Sequence, residues 1–193
     1  MSLETFAGIV GSDGHIEKGQ AVIRVISKDL DFLERIVIPL IEDLSGIKTQ
    51  PKPAISGFCK RKFVIAFTSQ TLWKTLQERF CIPKGKKSDL IIKPELESPK
   101  EKVDFLLGWF AGDGSVTTDR GKPKLEIWSK SEGILKWFKE VLQESGIESR
   151  VFPARKVGKF LLRIRKQGHV KLFHEKFTIP HSAKEQKLSL LLS

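Results

Sequence analysis

The sequence predicts an α+β protein built from two pseudo-symmetric αββαββα repeats, on three observations. A nine-residue stretch occurs twice, at Phe6–Gly14 and at Leu106–Gly114, 100 positions apart. The same order of helical and strand-like segments follows each copy. The punctuation also repeats: Ser-Gly-Ile at 45–47 and 145–147, and Phe-x-Ile-Pro at 80–83 and 177–180. A period of this length signals tandem half-domains, not a solenoid. The predicted halves are 1–97, with the start of the linker, and 98–193.

Each nonapeptide reads as the last two turns of an apolar helix that ends in Asp-Gly. In the first copy Gly8, Gly11 and Ser12 fall on one helix face, and in the second Gly108, Ala111 and Gly112 do the same. Glycine weakens a helix, so lining up glycines with other small residues predicts close backbone approach to a second helix. Asp13 and Asp113 each end a helix, where the dipole is negative, an arrangement disfavoured by roughly 0.3–1 kcal/mol. If the two motif helices pack side by side and parallel, the acids converge and repel further. A divalent cation between them removes both penalties.

In chain order, the β-branched run Ala21–Lys28 predicts a strand, as does Lys124–Lys130 after the second motif. Leu30, Leu33, Ile36, Leu40 and Leu44 recur at helical spacing, with Pro39 expected to kink the helix. Ile134, Leu135, Phe138, Val141 and Leu142 form the corresponding stripe. Gly46 and Gly146 suit left-handed helix caps. Strands are expected at Lys48–Ile55 and Lys62–Thr68 around a turn at Ser56-Gly57, and at Glu148–Arg155 and Lys159–Arg165 around Val157-Gly158. Helices near Gln70–Phe80 and Gln167–Phe177 close the units. The charged linker spans Lys86–Lys102, and Ala183–Leu192 reads as a short packing helix.

Thirty-four basic residues against 23 acidic give a net charge of +11 and a pI near 9.7. That balance favours a polyanionic partner, above all nucleic acid. The charge is uneven: residues 1–99 carry 15 basic and 12 acidic groups (+3), and residues 100–193 carry 19 and 11 (+8). No apolar run reaches membrane-spanning length. Without a signal peptide or a disulfide framework, Cys59 and Cys81 being isolated, the expected location is intracellular and cytoplasmic, organelles included.

Helices are expected to cover one face of each sheet, leaving the other to be explained by its side chains. Strand 159–165 presents Lys159, Leu161, Arg163 and Arg165 on one side; strand 122–128 presents Lys122, Lys124, Glu126 and Trp128. Arg24, Lys48, Gln50 and Lys52 sit comparably in the first half, and Arg150 and Arg155 on the strand after the second Ser-Gly-Ile. A curved sheet of this kind fits the major groove of double-stranded DNA, where Arg, Lys and Gln bond base edges. Lys60, Arg61, Lys62, Arg120 and Lys122 at turns are expected phosphate contacts. No small-molecule substrate is implied.

Both nonapeptides resemble the signature of the LAGLIDADG homing endonucleases, in the form with two motifs on one chain. The match lies in the alanine, the glycines and the penultimate acid; it departs at Gly11 and Ala111, and at Leu107. The resemblance implies motif helices at the centre of a DNA-binding saddle. It implies a monomer that makes a metal-dependent, staggered double-strand break in a long asymmetric target, as in intron or intein homing. Asp13 and Asp113 are then catalytic and metal-binding, with Mg²⁺, or another divalent ion such as Mn²⁺, suited to oxygen ligands. Ser27-Lys28 and Ser129-Lys130 lie where similar enzymes carry a polar residue that orders water, followed by a lysine. Lys87 and Lys184 hold matched places after the Ile-Pro pairs, where they can stabilise charge. An RNA-splicing maturase of the same fold, or a non-cleaving DNA-binding regulator, are the alternative readings.

Overall fold

The computed structural model describes residues 1–54, 62–85, 93–154 and 158–193. Helix α1 (Leu3–Asp13) starts where the Ser2 hydroxyl accepts the Thr5 N–H. It runs directly into β1 (Gly14–Ile16) and β2 (Val22–Ser27). The next helical stretch has three parts: α2 (Leu30–Phe32), a π-helical turn (Leu33–Val37) and α3 (Ile38–Ser45). β3 (Lys52–Pro53), β4 (Phe63–Thr68) and α4 (Gln70–Glu78) complete the first repeat. The second contains α5 (Pro99–Asp113), β5 (Gly114–Asp119), β6 (Lys122–Ser129), α6 (Glu132–Glu144), β7 (Arg150–Ala154), β8 (Lys159–Ile164) and α7 (Gln167–Lys176), followed by α8 (Ser182–Leu192).

The two sheets have equivalent antiparallel orders, β1-β2-β4-β3 and β5-β6-β8-β7. The predicted αββαββα order therefore holds in both halves. Gly46 and Gly146 have φ of +70° and +80°, the left-handed caps expected of Ser-Gly-Ile. Arg120 and Gly121, at φ +52° and +78°, form the two-residue turn of the β5–β6 hairpin and place Arg120 at its tip.

One expectation takes a specific local form and one is corrected. The bend at Pro39 becomes a π turn just before it: the Ile38 N–H reaches back to the Leu33 carbonyl, five residues away. This absorbs the missing proline N–H without breaking the helix. The strand expected over Lys48–Ile55 shortens, within the described residues, to Lys52–Pro53. Pro51 and Pro53 donate no hydrogen bonds, so the segment pairs briefly and only as an edge strand. The turn expected at Ser56-Gly57 lies outside the described residues.

Alternation along the strands sends Ile23, Val25, Ile65 and Phe67 into the first core, and Leu125, Ile127, Leu162 and Ile164 into the second. The motif helices join these cores. Phe105 on α5 stacks on Phe80 of the first repeat (5.9 Å) and meets Trp137 of the second edge-on (5.8 Å). Among the described residues no helix is long and apolar enough to cross a membrane.

The largest interface between helices is α1 on α5. A Cβ at Gly8 would lie 2.1 Å from the Phe105 carbonyl oxygen, and one at Gly108 would lie 2.0 Å from that of Thr5. Towards the C-termini, a Cβ at Gly112 would meet the Ser12 hydroxyl at 2.1 Å and the Asp13 carboxyl carbon at 3.2 Å. At the other end the Ser2 hydroxyl donates to Asp104 at 2.9 Å. Contacts at both ends and in the middle keep the same order along the two helices, so the helices run parallel. The motif's small residues make this seam, as their spacing predicts. Gly14 and Gly114 have a different reason: a Cβ there would collide with the backbone of Val10 and Phe110, one turn earlier.

Gly108→Ala forces backbone apart and is expected to cost about 1–3 kcal/mol, as overpacking does. Gly168→Ala, in α7 with nothing within 4 Å of the added methyl, is expected to stabilise by about 0.4–1 kcal/mol. Thermal melts of the two variants against the parent check the contrast; equal melting of Gly108→Ala and the parent contradicts the seam.

Candidate active site and nucleic-acid interface

The parallel seam delivers both acids to one place. Asp13 and Asp113 end α1 and α5, and the chain leaves each through glycine into the first strand of its sheet. Two negative helix ends and two carboxylates thus meet at the boundary between the repeats.

A lysine from the C-terminal helix answers this charge. Lys184 Nζ donates to three carbonyls in the last turn of α5: Phe110 at 3.1 Å, Ala111 at 2.7 Å and Gly112 at 2.7 Å. Burial pushes its ammonium down to about 8, against the upward pull of Asp13 first and then Asp113. The three hydrogen bonds employ all three ammonium donors, so Lys184 serves as a side-chain cap of the α5 C-terminus beside both acids. The charge-stabilising role expected of this lysine came from its matched place in the sequence; its capping of the motif helix had no sequence signal. Its expected counterpart Lys87 lies outside the described residues.

Ser27 and Ser129 occupy equivalent places at the ends of β2 and β6. Each hydroxyl accepts the N–H two residues on, Asp29 at 3.1 Å and Ser131 at 3.1 Å. Both serines thus build the turn that starts the following helix. Lys28 and Lys130, next in sequence, are exposed.

The helix-free faces of the sheets carry the expected basic residues, arranged differently in the two halves. On the first, Arg24 lies opposite His15 and Ala66, and its guanidinium bonds Glu17 at 2.6 Å. Lys48, Gln50 and Lys52 line a cleft beside Val64 and Ala66 and are exposed, while Lys62 is half-buried. On the second, Arg150, Lys159 and Arg165 are exposed, as are Arg120 and Lys122 at the hairpin tip. Arg165 pairs with Asp119 at 2.7 Å. Lys60, Arg61 and Arg155 lie outside the described residues.

Three residues of the second face deserve separate placement. Glu126 is buried, and its Oε1 accepts from both Lys124 (2.9 Å) and Arg163 (2.7 Å). Trp128 is half-buried, directly opposite Leu161, which in turn lies opposite Phe152. Phe152 was missed by the sequence reading, although alternation from Arg150 puts it on the same face. An aromatic at an outward strand position was the available signal.

The comparisons with known proteins agree with this architecture. The family model for a LAGLIDADG-like domain matches residues 100–178. Among solved structures, the homing endonuclease I-DmoI in complex with DNA and Ca is 15% identical with a TM-score of 0.69, over 97% of this chain and 95% of that one. A structure of mesophilic variants of I-DmoI gives 16% and 0.67, over 90% and 87%. Full-length DUF199/WhiA from Thermotoga maritima gives 20% and 0.66, over 99% of this chain and 60% of that one. Among curated proteins none matches this chain by sequence.

The site is tied to the first repeat through α8. His181, at the start of α8, stacks on Phe32 (4.6 Å between ring centres) and places Nε2 3.5 Å from Asp29 Oδ2. Ser182 donates to Asp31 at 3.0 Å. Burial, and then the positive charge of Lys184, hold the His181 imidazole below its ordinary range, with Asp29 and Asp31 opposing. A folded-state pKa below the unfolded value means that the unfolded chain binds the proton more readily. The stabilisation is therefore complete above about pH 6.5 and declines as pH falls from there through the folded value. Melting temperatures between pH 5 and 7.5 should fall less steeply in His181→Gln than in the parent; parallel curves contradict this.

Proposed function

Starting from a LAGLIDADG-like fold repeated twice in one chain, we propose that this protein is a site-specific DNA endonuclease that makes a metal-dependent double-strand break. The observation that carries the reading is the meeting of Asp13 and Asp113 at the negative ends of two parallel helices, between two sheets with basic outer faces. Halves 1–97 and 98–193 each supply one acid, so each acid serves one strand of the duplex. The two faces differ in their side chains, and the target is long and asymmetric, as in homing of an intron or intein.

A divalent cation suits this donor set. Hard carboxylate oxygens brought together at two helix C-termini are the ligands that a hard divalent ion prefers. Among the described residues no group of three or more His, Cys, Asp or Glu side chains could hold a metal, so the remaining ligands are carbonyls, water and the scissile phosphates. Mg²⁺ or Mn²⁺, when bound, supplies activation of water and stabilisation of the leaving oxygen. The chain's own residues do the rest. Asp13 and Asp113 hold and orient the ion; Lys184 fixes the α5 terminus and offsets charge; Ser27 and Ser129 set the adjoining turns and order water. Lys87 is assigned a charge-stabilising role by its matched place in the sequence. Lys28 and Lys130, exposed beside the serines, contact phosphate. The I-DmoI structures with DNA and Ca, Mn or Mg support the choice of partner and ion class.

DNA binding without cleavage and RNA splicing are the competing readings. Both would use the same basic faces; retention of an acid in each repeat favours the nuclease.

With Mg²⁺ and a randomised duplex library, the parent is expected to cut both strands of a selected sequence. Asp13→Asn and Asp113→Asn should each abolish double-strand breaks while binding changes little, because the groove contacts lie on the sheets. Full cleavage by both single variants would sink the assignment. The cutting species is expected to be one chain per duplex, and sedimentation of the complex reads that mass directly; two chains on a palindrome contradict it.

A further inference from the structure

The second sheet contains a buried acid on a face rich in basic residues. Glu126 lies mid-strand on β6 and is 6% exposed. In register it faces Ser115 on one side and Arg163 on the other, and Arg163 in turn faces Arg150. A buried carboxylate is costly unless it is paired, and here one oxygen holds both Lys124 Nζ (2.9 Å) and Arg163 Nε (2.7 Å). If neutralising two surface cations were its whole purpose, the face would be better served by an apolar residue and two free cations. The pairing instead fixes geometry.

Arg163 is held from two sides. Glu126 takes its Nε hydrogen, and its guanidinium carbon lies 5.7 Å from the centre of the exposed Phe152 ring. A bond at Nε engages one side of the planar fork and leaves the end-on edge, the two Nη groups, as its remaining pair of donors. Arg150, Phe152, Arg163 and Arg165 line one cleft on this face. An arginine fork held end-on matches one acceptor pair in the major groove, guanine O6 and N7. A lysine reaches the same acceptors as a flexible point charge without the fixed fork, and an arginine able to swing to phosphate is not held to the base.

We infer that Arg163 reads a guanine in the target, and that Glu126 is a positioning residue that orients Arg163 and restrains it and Lys124 from the phosphates, lowering affinity to raise selectivity. The first repeat lacks this device at the equivalent strand position: Arg24 stands where Glu126 stands in the second. The inference rests on the DNA-binding reading above and adds a base identity and a source for it. Glu126 itself then makes no contact with DNA, contrary to the expectation from strand alternation.

The test selects bound sequences from a randomised duplex library with the full chain in Ca²⁺, which separates binding from cutting, and compares the parent with Arg163→Lys and Glu126→Gln. The parent should show one position with guanine preferred roughly 10- to 100-fold, as a bidentate pair provides. Replacing that guanine by 7-deazaguanine, which lacks the N7 acceptor, should remove most of the preference without altering the protein. Arg163→Lys, which keeps the charge but not the planar fork, should weaken the preference at that position alone. Glu126→Gln should weaken it while raising affinity for unrelated DNA, with the slope of log K against log salt steeper by about one unit for each cation released to phosphate. Loss of folding would instead lower all binding, which distinguishes a structural role. Site-specific binding with no guanine that depends on Arg163, or a Glu126→Gln variant with unchanged salt slope and selectivity, overturns this inference and leaves the endonuclease reading standing. Absence of any sequence preference in the parent overturns both.

Discussion

The backbone contact between α1 and α5 is the constraint from which the rest of the structure follows. Gly8 meets the Phe105 carbonyl and Gly108 meets that of Thr5, at distances where any side chain would intrude. Two helices this close and parallel carry their C-termini to one point, and the acids with them. The strands that leave each helix must then diverge into separate sheets, one per repeat. Two helix C-termini and two carboxylates share that tip, where like charges and dipole ends repel unless they are partnered. Lys184 answers part of that charge from outside the motif.

The structure is a symmetric frame carrying asymmetric faces. Equivalent sheet orders, equivalent glycine caps at 46 and 146, and equivalent serine turns at 27 and 129 keep the two halves superimposable in design. The outward side chains ignore that symmetry. Arg24 stands where Glu126 stands, and Val22 and Ile26 where Lys124 and Trp128 stand. Under the proposed nuclease reading, a frame of this kind lets the chemistry at the centre be shared by two strands while each sheet meets a different sequence.

Much of this was legible before the structure, for physical reasons. The repeat, the small-residue faces and the Asp-Gly ends are short-range patterns, and the seam follows from helical spacing alone. Strand alternation put the basic residues on the correct faces. What failed was what depends on neighbours distant in sequence. Pro39 called for a kink, but the way the helix absorbs it, a π turn at Leu33–Val37, depends on packing. Lys184 caps α5 across more than 70 residues, and Glu126 is buried only because Lys124 and Arg163 converge on it. Lys124 lies two residues from Glu126 on the same strand face, but the Lys184 and Arg163 contacts leave no mark in local sequence. Phe152 was readable from alternation and went unread.

The central claim is that the glycine seam sets the geometry of a cation site formed by the two acids. Mn²⁺ affinity of the chain on duplex DNA, followed by paramagnetic resonance of the free ion, tests it most directly. The account predicts binding in the parent and at least about tenfold weaker binding in Gly108→Ala, which retains both carboxylates but moves them apart, since displacements near 1 Å already cost active sites roughly a hundredfold. Undiminished Mn²⁺ affinity in a folded Gly108→Ala protein, or no binding in the parent, would contradict it.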